Sequence, residues 1–93
     1  MNDTPSQITK ENSFRVYILW SAVLQKWYTG YSGNVTQRLK YHNLGISTFT
    51  KRGTPWHLKW TSSGMSKKEA IQLERKIKKR GAKRFLGDIS KNQ

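Results

Sequence analysis

Phe14-Arg15-Val16-Tyr17-Ile18-Leu19-Trp20, followed by Trp27-Tyr28-Thr29-Gly30-Tyr31, is where the fold of this chain is decided. In the first run apolar residues stand almost without interruption, the pattern of a strand covered on both faces, and the second run is rich in strand-forming residues. Ser21 to Lys26 is short enough to join the two as an antiparallel pair. Downstream, Asn34 with Gln37 three residues on gives a helix start: the Asn34 side chain caps a free backbone N–H while Gln37 reaches back. Gly45 ends that helix, which carries Arg38 and His42. The polar, basic stretch from Ile46 to Pro55 reads as a loop on the strength of Gly53 and Pro55. In a third strand at about Trp56 to Ser62, Trp56, Leu58 and Trp60 alternate with His57, Lys59 and Thr61, which predicts one buried face and one wet or ligand-facing one. Ser66 and Glu69 form a capping box that opens a second helix running to Arg80 before Gly81, and Arg84 to Ile89 adds a short final helix. The order β-β-α-β-α(-α) predicts a small α/β sandwich of the α+β kind, a three-stranded antiparallel sheet flanked by helices.

A chain of 93 residues has room for one core, so a single domain over residues 14–89 is expected, with a polar N-terminal tail over 1–13 and a C-terminal tail over 90–93. Eighteen Lys and Arg against five Asp and Glu give a formal charge of +13, which points to a polyanion, and nucleic acid leads on charge alone. No stretch approaches the ~20 apolar residues of a membrane span, and the N-terminus lacks the pattern of a secretory signal. A cytoplasmic protein without a membrane partner is expected. The absence of cysteine excludes a disulfide framework and a thiolate zinc site, leaving His42 and His57 as imidazole ligands.

Carboxylates are scarce enough to be taken one by one. Asp3 and Glu11 lie in the tail, Glu69 is used by the capping box, and Asp88 sits near the end of the chain. Glu74 remains, and its spacing from Ala70, Leu73 and Ile77 places it on or beside the apolar stripe of the second helix. An acid aimed at the sheet needs a cationic side chain or a metal ion as partner. The basic clusters Lys51-Arg52, Lys67-Lys68, Arg75, Lys78-Lys79-Arg80 and Lys83-Arg84 read as a phosphate-tracking surface, against the plainer alternative of a solvated helix. Trp20, Trp56 and Trp60 read as core, and Trp27 is open.

In order and interval these residues resemble the GIY-YIG nucleases, especially small stand-alone members related to the nuclease module of bacterial excision-repair incision proteins. Arg15-Val16-Tyr17 stands for the first half of the signature and Tyr28-Thr29-Gly30 for the second, and the likeness runs from about Arg15 to Phe85. Arg38 follows Gly30 by eight residues with His42 one turn on, Glu74 falls at the family's metal-binding glutamate, and Thr50-Lys51-Arg52 with Pro55-Trp56 resembles the approach to the third strand. Arg15, Val16 and Thr29 depart from the signature; Arg15 implies only that a positive φ is not required there. The family's late asparagine has no counterpart except Asn92 in the tail, and its role is not carried over.

The resemblance implies an endonuclease that hydrolyses phosphodiester bonds, of DNA ahead of RNA, with Tyr17 as general base, Tyr28 positioning the phosphate, Arg38 stabilising it and Glu74 holding one Mg²⁺ or Mn²⁺. Such a role in DNA repair would leave specificity to substrate structure or to a protein partner. Hydrolysis needs an activated water and neutralisation of charge on phosphorus, and phenols on paired strands next to Arg38 and His42 suit both needs. A dense cationic field is expected to favour the phenolate. His42 assists the base, binds phosphate or merely packs. The alternatives are a non-catalytic basic module that binds DNA or structured RNA, with Glu74 in an incidental salt bridge, and an interaction domain for an acidic protein.

Overall fold

The computed structural model describes residues 12–91. Residues 1–11, with Asp3 and Glu11, and residues 92 and 93, with Asn92, lie outside the described residues, and so does most of the expected N-terminal tail. The elements are β1 (Arg15–Ser21), β2 (Lys26–Ser32), α1 (Val35–Asn43), a 3₁₀ turn (Lys51–Gly53), β3 (Trp56–Thr61), α2 (Lys67–Arg80) and α3 (Ala82–Lys91). They form an antiparallel sheet in the order β2-β1-β3 with helices on both faces, the α+β architecture expected from the sequence.

The central strand explains its own composition. Val16, Tyr17, Ile18 and Leu19 are all buried because both faces of β1 are covered. Val16 and Ile18 meet Ala70, Ile77 and Ala82 of α2 and α3, while Tyr17 and Leu19 face Trp56, with Val35 and Leu39 of α1 packed beside them. Each fully buried aliphatic side chain stabilises the fold by about 1.5–3 kcal/mol. The capping box at α2 forms in full: Ser66 Oγ accepts from the Glu69 N–H and Glu69 Oε1 from the Ser66 N–H, both at 3.1 Å. Gly81, at φ 95°, closes the helix where a side chain would be strained.

Four local expectations need correction. β3 does not keep one buried face, because a bulge breaks its register with β1: Ile18 pairs with Trp60 and Leu19 with Leu58, so Lys59 is an extra residue. That one residue reverses the facing of the side chains beyond it. Trp60 joins the α2–α3 side, its ring 5.1 Å from that of Phe85, whereas Trp56 packs on the α1 side. Leu58 is left 39% exposed. At α1 the Asn34 side chain does accept from the Gln37 N–H at 3.0 Å, but the Asn34 N–H goes to Ser32 Oγ at 2.9 Å, so the reciprocal arm of the cap is not made by Gln37. Phe14 lies outside β1 and makes an isolated bridge with Met65, and the last helix is longer than expected, from Ala82 to Lys91. Trp27, left open by the sequence, packs on Trp20 with ring centroids 4.7 Å apart.

Candidate active site

Tyr17 and Tyr28 are brought to one face by strand register. Tyr28 pairs with Leu19, and Gly30 pairs with Tyr17, so both phenols and Gly30 share the side covered by α1. The two tyrosine rings lie 6.3 Å apart. Gly30 is required by this geometry: a Cβ there would stand 2.6 Å from the Tyr17 hydroxyl and 2.8 Å from its ring. The signature glycine therefore serves close approach; Arg15, at the other signature position, has no positive φ and donates from Nη1 to the Ser62 carbonyl at 2.8 Å.

α1 then delivers Arg38 and His42, one helical turn apart. His42 is fully buried between two partners, with Nε2 3.1 Å from the Tyr17 hydroxyl and Nδ1 2.7 Å from Thr50 Oγ1. Burial, and then the Arg38 charge, lower its pKa below the ordinary 6.5, so the ring is neutral near pH 7, with one nitrogen donating and the other accepting. The Arg38 guanidinium stacks on the Tyr41 ring, 4.5 Å from its centroid, which restrains its planar fork.

Tyr17 behaves otherwise than charge counting suggests. Its pKa is raised to about 12, first by burial of the phenol and then by Tyr28; Arg38, as hydrogen-bond donor and as charge, pulls it back, and the Glu74 carboxylate raises it further. The expectation that the cationic field yields a ready phenolate is thus wrong, because desolvation outweighs the nearby arginine.

Glu74 sits on the flank of α2 with only 17% of its side chain exposed, 3.5 Å from the ammonium of Lys78, which is itself 56% exposed. An i,i+4 pair to so exposed a lysine is worth about 0.3–0.5 kcal/mol and does not lock the carboxylate. Among the described residues no three His, Asp or Glu side chains come together, so there is no cage for a cation that sheds its water. A lone, largely buried carboxylate does suit a hard ion that retains water and takes one or two carboxylates plus phosphate oxygens, as Mg²⁺ does. His42 is no candidate ligand, since both of its ring nitrogens are occupied.

The sequence-predicted cations are all exposed, but they do not form one set. At about 100° per residue, Lys67 and Lys78 fall beside Glu74 on α2 and Arg75 stands about a quarter-turn away, while Lys68 and Lys79 face directly away from the core and Arg80 lies beyond Leu73, on the other side of the core stripe. There Arg80 holds Asp88 of α3 through two bonds of 2.8 and 2.9 Å, which keep the Asp88 carboxyl below its usual range. Lys51 and Arg52 project from the 3₁₀ turn, and Lys83 and Arg84 from α3.

The parts played by Thr50 and Asn43 escaped the sequence reading, which named Thr50 only in the approach to the third strand. Asn43 clamps α1 to β3, accepting from the Trp56 N–H at 2.6 Å and donating to its carbonyl at 3.1 Å. The Thr50 carbonyl accepts from the Trp56 indole at 2.7 Å while its hydroxyl meets His42. Neither role has a sequence signal, since each depends on where an irregular loop returns.

A UPF0213 protein of Pediococcus acidilactici is 34% identical over 85 residues, covering 88% of this chain and 86% of the relative. One from Halobacterium salinarum is 42% identical over 53 residues, 56% of this chain and 69% of the relative. The solution NMR structure of a UPF0213 protein from Bacillus halodurans superposes with a TM-score of 0.50 at 32% identity, covering 83% of this chain and 82% of that one. Residues 13–85 match the GIY-YIG catalytic domain, a span that takes in every element positioning Tyr17, Tyr28, Arg38, His42 and Glu74; the chain belongs to the GIY-YIG family and has its nuclease-type fold.

Proposed function

We propose that the chain is an endonuclease that hydrolyses phosphodiester bonds of nucleic acid, DNA ahead of RNA, at the cluster of Tyr17, Tyr28, Arg38, His42 and Glu74. The observation that carries this reading is the Tyr17 hydroxyl held 3.1 Å from the Nε2 of a buried, neutral histidine. With a phenol near pKa 12, pre-ionisation is too rare to serve, and the hydrogen bond supplies the remedy. Tyr17 takes a proton from the attacking water as its own proton passes to His42 Nε2, so no free phenolate has to accumulate. The incoming oxygen bonds to phosphorus as the opposite P–O bond breaks. Arg38 meets the charge that develops on the phosphoryl oxygens with a fork of donors, and Tyr28 orients the phosphate. Glu74 would hold one Mg²⁺ or Mn²⁺, which when bound supplies charge neutralisation at phosphate and leaving oxygen. The cations of the Glu74 flank, with Lys51 and Arg52, track the backbone on either side without reading sequence.

Nicking of labelled duplex, nicked, flapped and branched substrates with Mn²⁺ tests this. Glu74→Gln should abolish metal-dependent cleavage, by about 10³-fold or more, while gel-shift affinity without metal changes little. Wild-type binding with no cleavage of any substrate would leave a basic binding module instead. Retained cleavage by Glu74→Gln would remove that residue from the reaction.

A further inference from the structure

Phe49 is 92% exposed, at the tip of the turn between α1 and the 3₁₀ turn. Every other aromatic side chain among the described residues has a ring, a guanidinium or the core as partner, and Phe49 has none. Slackness of the backbone does not explain this. The Thr50 and Lys51 N–H groups both donate to the Ser47 carbonyl, at 3.3 and 3.0 Å, so the chain around Phe49 is a closed turn. Its next residue, Thr50, is pinned from two sides by His42 and by the Trp56 indole, both at 2.7 Å. Further on, Gly53 accepts from the Ser21 hydroxyl at 2.7 Å. A bare ring thus stands on a braced turn, one residue from the threonine that bonds His42, with exposed Lys51 and Arg52 immediately after it.

We propose that Phe49 is a stacking post for an unpaired nucleobase, and that the substrates of this chain are nucleic acids with an unstacked nucleotide near the scissile phosphate, single-stranded, flapped or branched, in preference to continuous duplex. The proposal rests on the nuclease reading above and adds the substrate class. Every base has a π-face to offer an aromatic ring, and flanking cations meet the phosphates on either side; this combination binds single strands without regard to sequence. Inside a continuous duplex those faces are already stacked on one another, so the ring gains nothing there. Leu44 and Ile46, 75% and 57% exposed, extend the apolar surface of the loop. A second copy of the chain is the poorer occupant: a two-fold contact centred on Phe49 would bring two Lys51-Arg52 pairs together on a protein already at +13.

The test uses the full chain in EDTA, so that binding is read without cleavage, on a short single strand, a flap and a continuous duplex. 2-Aminopurine is placed at the junction of the flap. Phe49→Ala should weaken binding to the single strand and the flap by about 5- to 150-fold and to the duplex by less than about twofold, with Phe49→Trp restoring the difference. Quenching of 2-aminopurine by wild type should be lost in Phe49→Ala. Because the ring is exposed, circular dichroism and melting should match wild type in both variants. Equal losses on all three substrates, or none, overturn the stacking post while leaving the nuclease reading intact. A wild-type dimer in sedimentation that Phe49→Ala makes monomeric overturns it in favour of self-association. Wild type that binds none of the substrates at low salt overturns this proposal and the nuclease reading together.

Discussion

A phenol with its pKa near 12 and an imidazole depressed below 6.5 form one hydrogen-bonded unit, and their opposite shifts fix its pH behaviour. In the proposed relay His42 has to be neutral to receive the proton of Tyr17. Turnover should therefore fall on the acid side with an apparent pKa below 6.5, and a limb at or above that value in a pH profile of kcat would count against the relay. The same shift bears on stability, because the unfolded histidine takes up a proton before the folded one does. The contribution of neutral His42 is fully present above its unfolded pKa and is lost as pH falls through the lower folded value. His42 Nδ1 lies 2.7 Å from Thr50 Oγ1, and the relay needs the tautomer in which Nδ1–H donates to that hydroxyl and Nε2 is left as acceptor toward Tyr17. Thr50→Val should mix the imidazole tautomers in nitrogen NMR and cut turnover about tenfold, and Thr50→Ser should restore both. An unchanged tautomer would deprive Thr50 of this role. That Tyr17, Tyr28, Arg38 and His42 come together on one side of the sheet was legible in the sequence, since strand register and helical spacing fix their positions. Thr50 was not, and neither was the direction of the Tyr17 shift, since both follow from how loops and rings bury the phenol.

At the scale of elements, β1, β2 and α2 could be read closely because periodicity and capping carry their information locally. Unbroken apolarity gave the buried centre of β1, and Ser66 with Glu69 gave the start of α2. β3 could not be read the same way. Its alternation is regular in sequence, and the extra residue at Lys59 is set by pairing with β1, a non-local match that separates Trp56 from Trp60 across the sheet. α2 poses the sharper functional question, since Glu74 has a lysine for neighbour as well as a place beside Tyr17. A structural salt bridge and a metal-binding acid respond differently to loss of Lys78. If Glu74 exists for the bridge, Lys78→Ala strands a largely buried charge and destabilises the fold. With Glu74 as a metal site, Lys78→Ala should shift the urea midpoint by less than about 0.5 kcal/mol equivalent and leave cleavage intact at lower Mg²⁺ demand. A loss of several kcal/mol, or of activity at saturating Mg²⁺, would assign Glu74 to structure.

The whole molecule contributes its charge, and the structure divides that charge between groups with acid partners and groups without. Arg80 is committed to Asp88 by two short bonds, whereas Lys67 and Arg75 stand exposed toward the Glu74 side of α2. Binding to duplex releases counterions, so log affinity should fall linearly with log salt at a slope of about −0.9 per phosphate engaged. Lys67→Ala and Arg75→Ala should each reduce that slope by about one and weaken binding evenly across sequences, while turnover at saturation is held. Arg80→Ala should leave the slope unchanged, since its guanidinium is already neutralised by Asp88 and lies off that flank. Arg38→Ala should do the reverse of these two variants, lowering turnover far more than affinity, because a contact made to the developing charge appears in the chemical step. A slope that drops for Arg80→Ala and for neither Lys67→Ala nor Arg75→Ala would move the nucleic-acid track to the α3 side of the molecule, away from Glu74, and with it the case that backbone tracking and cleavage share one surface.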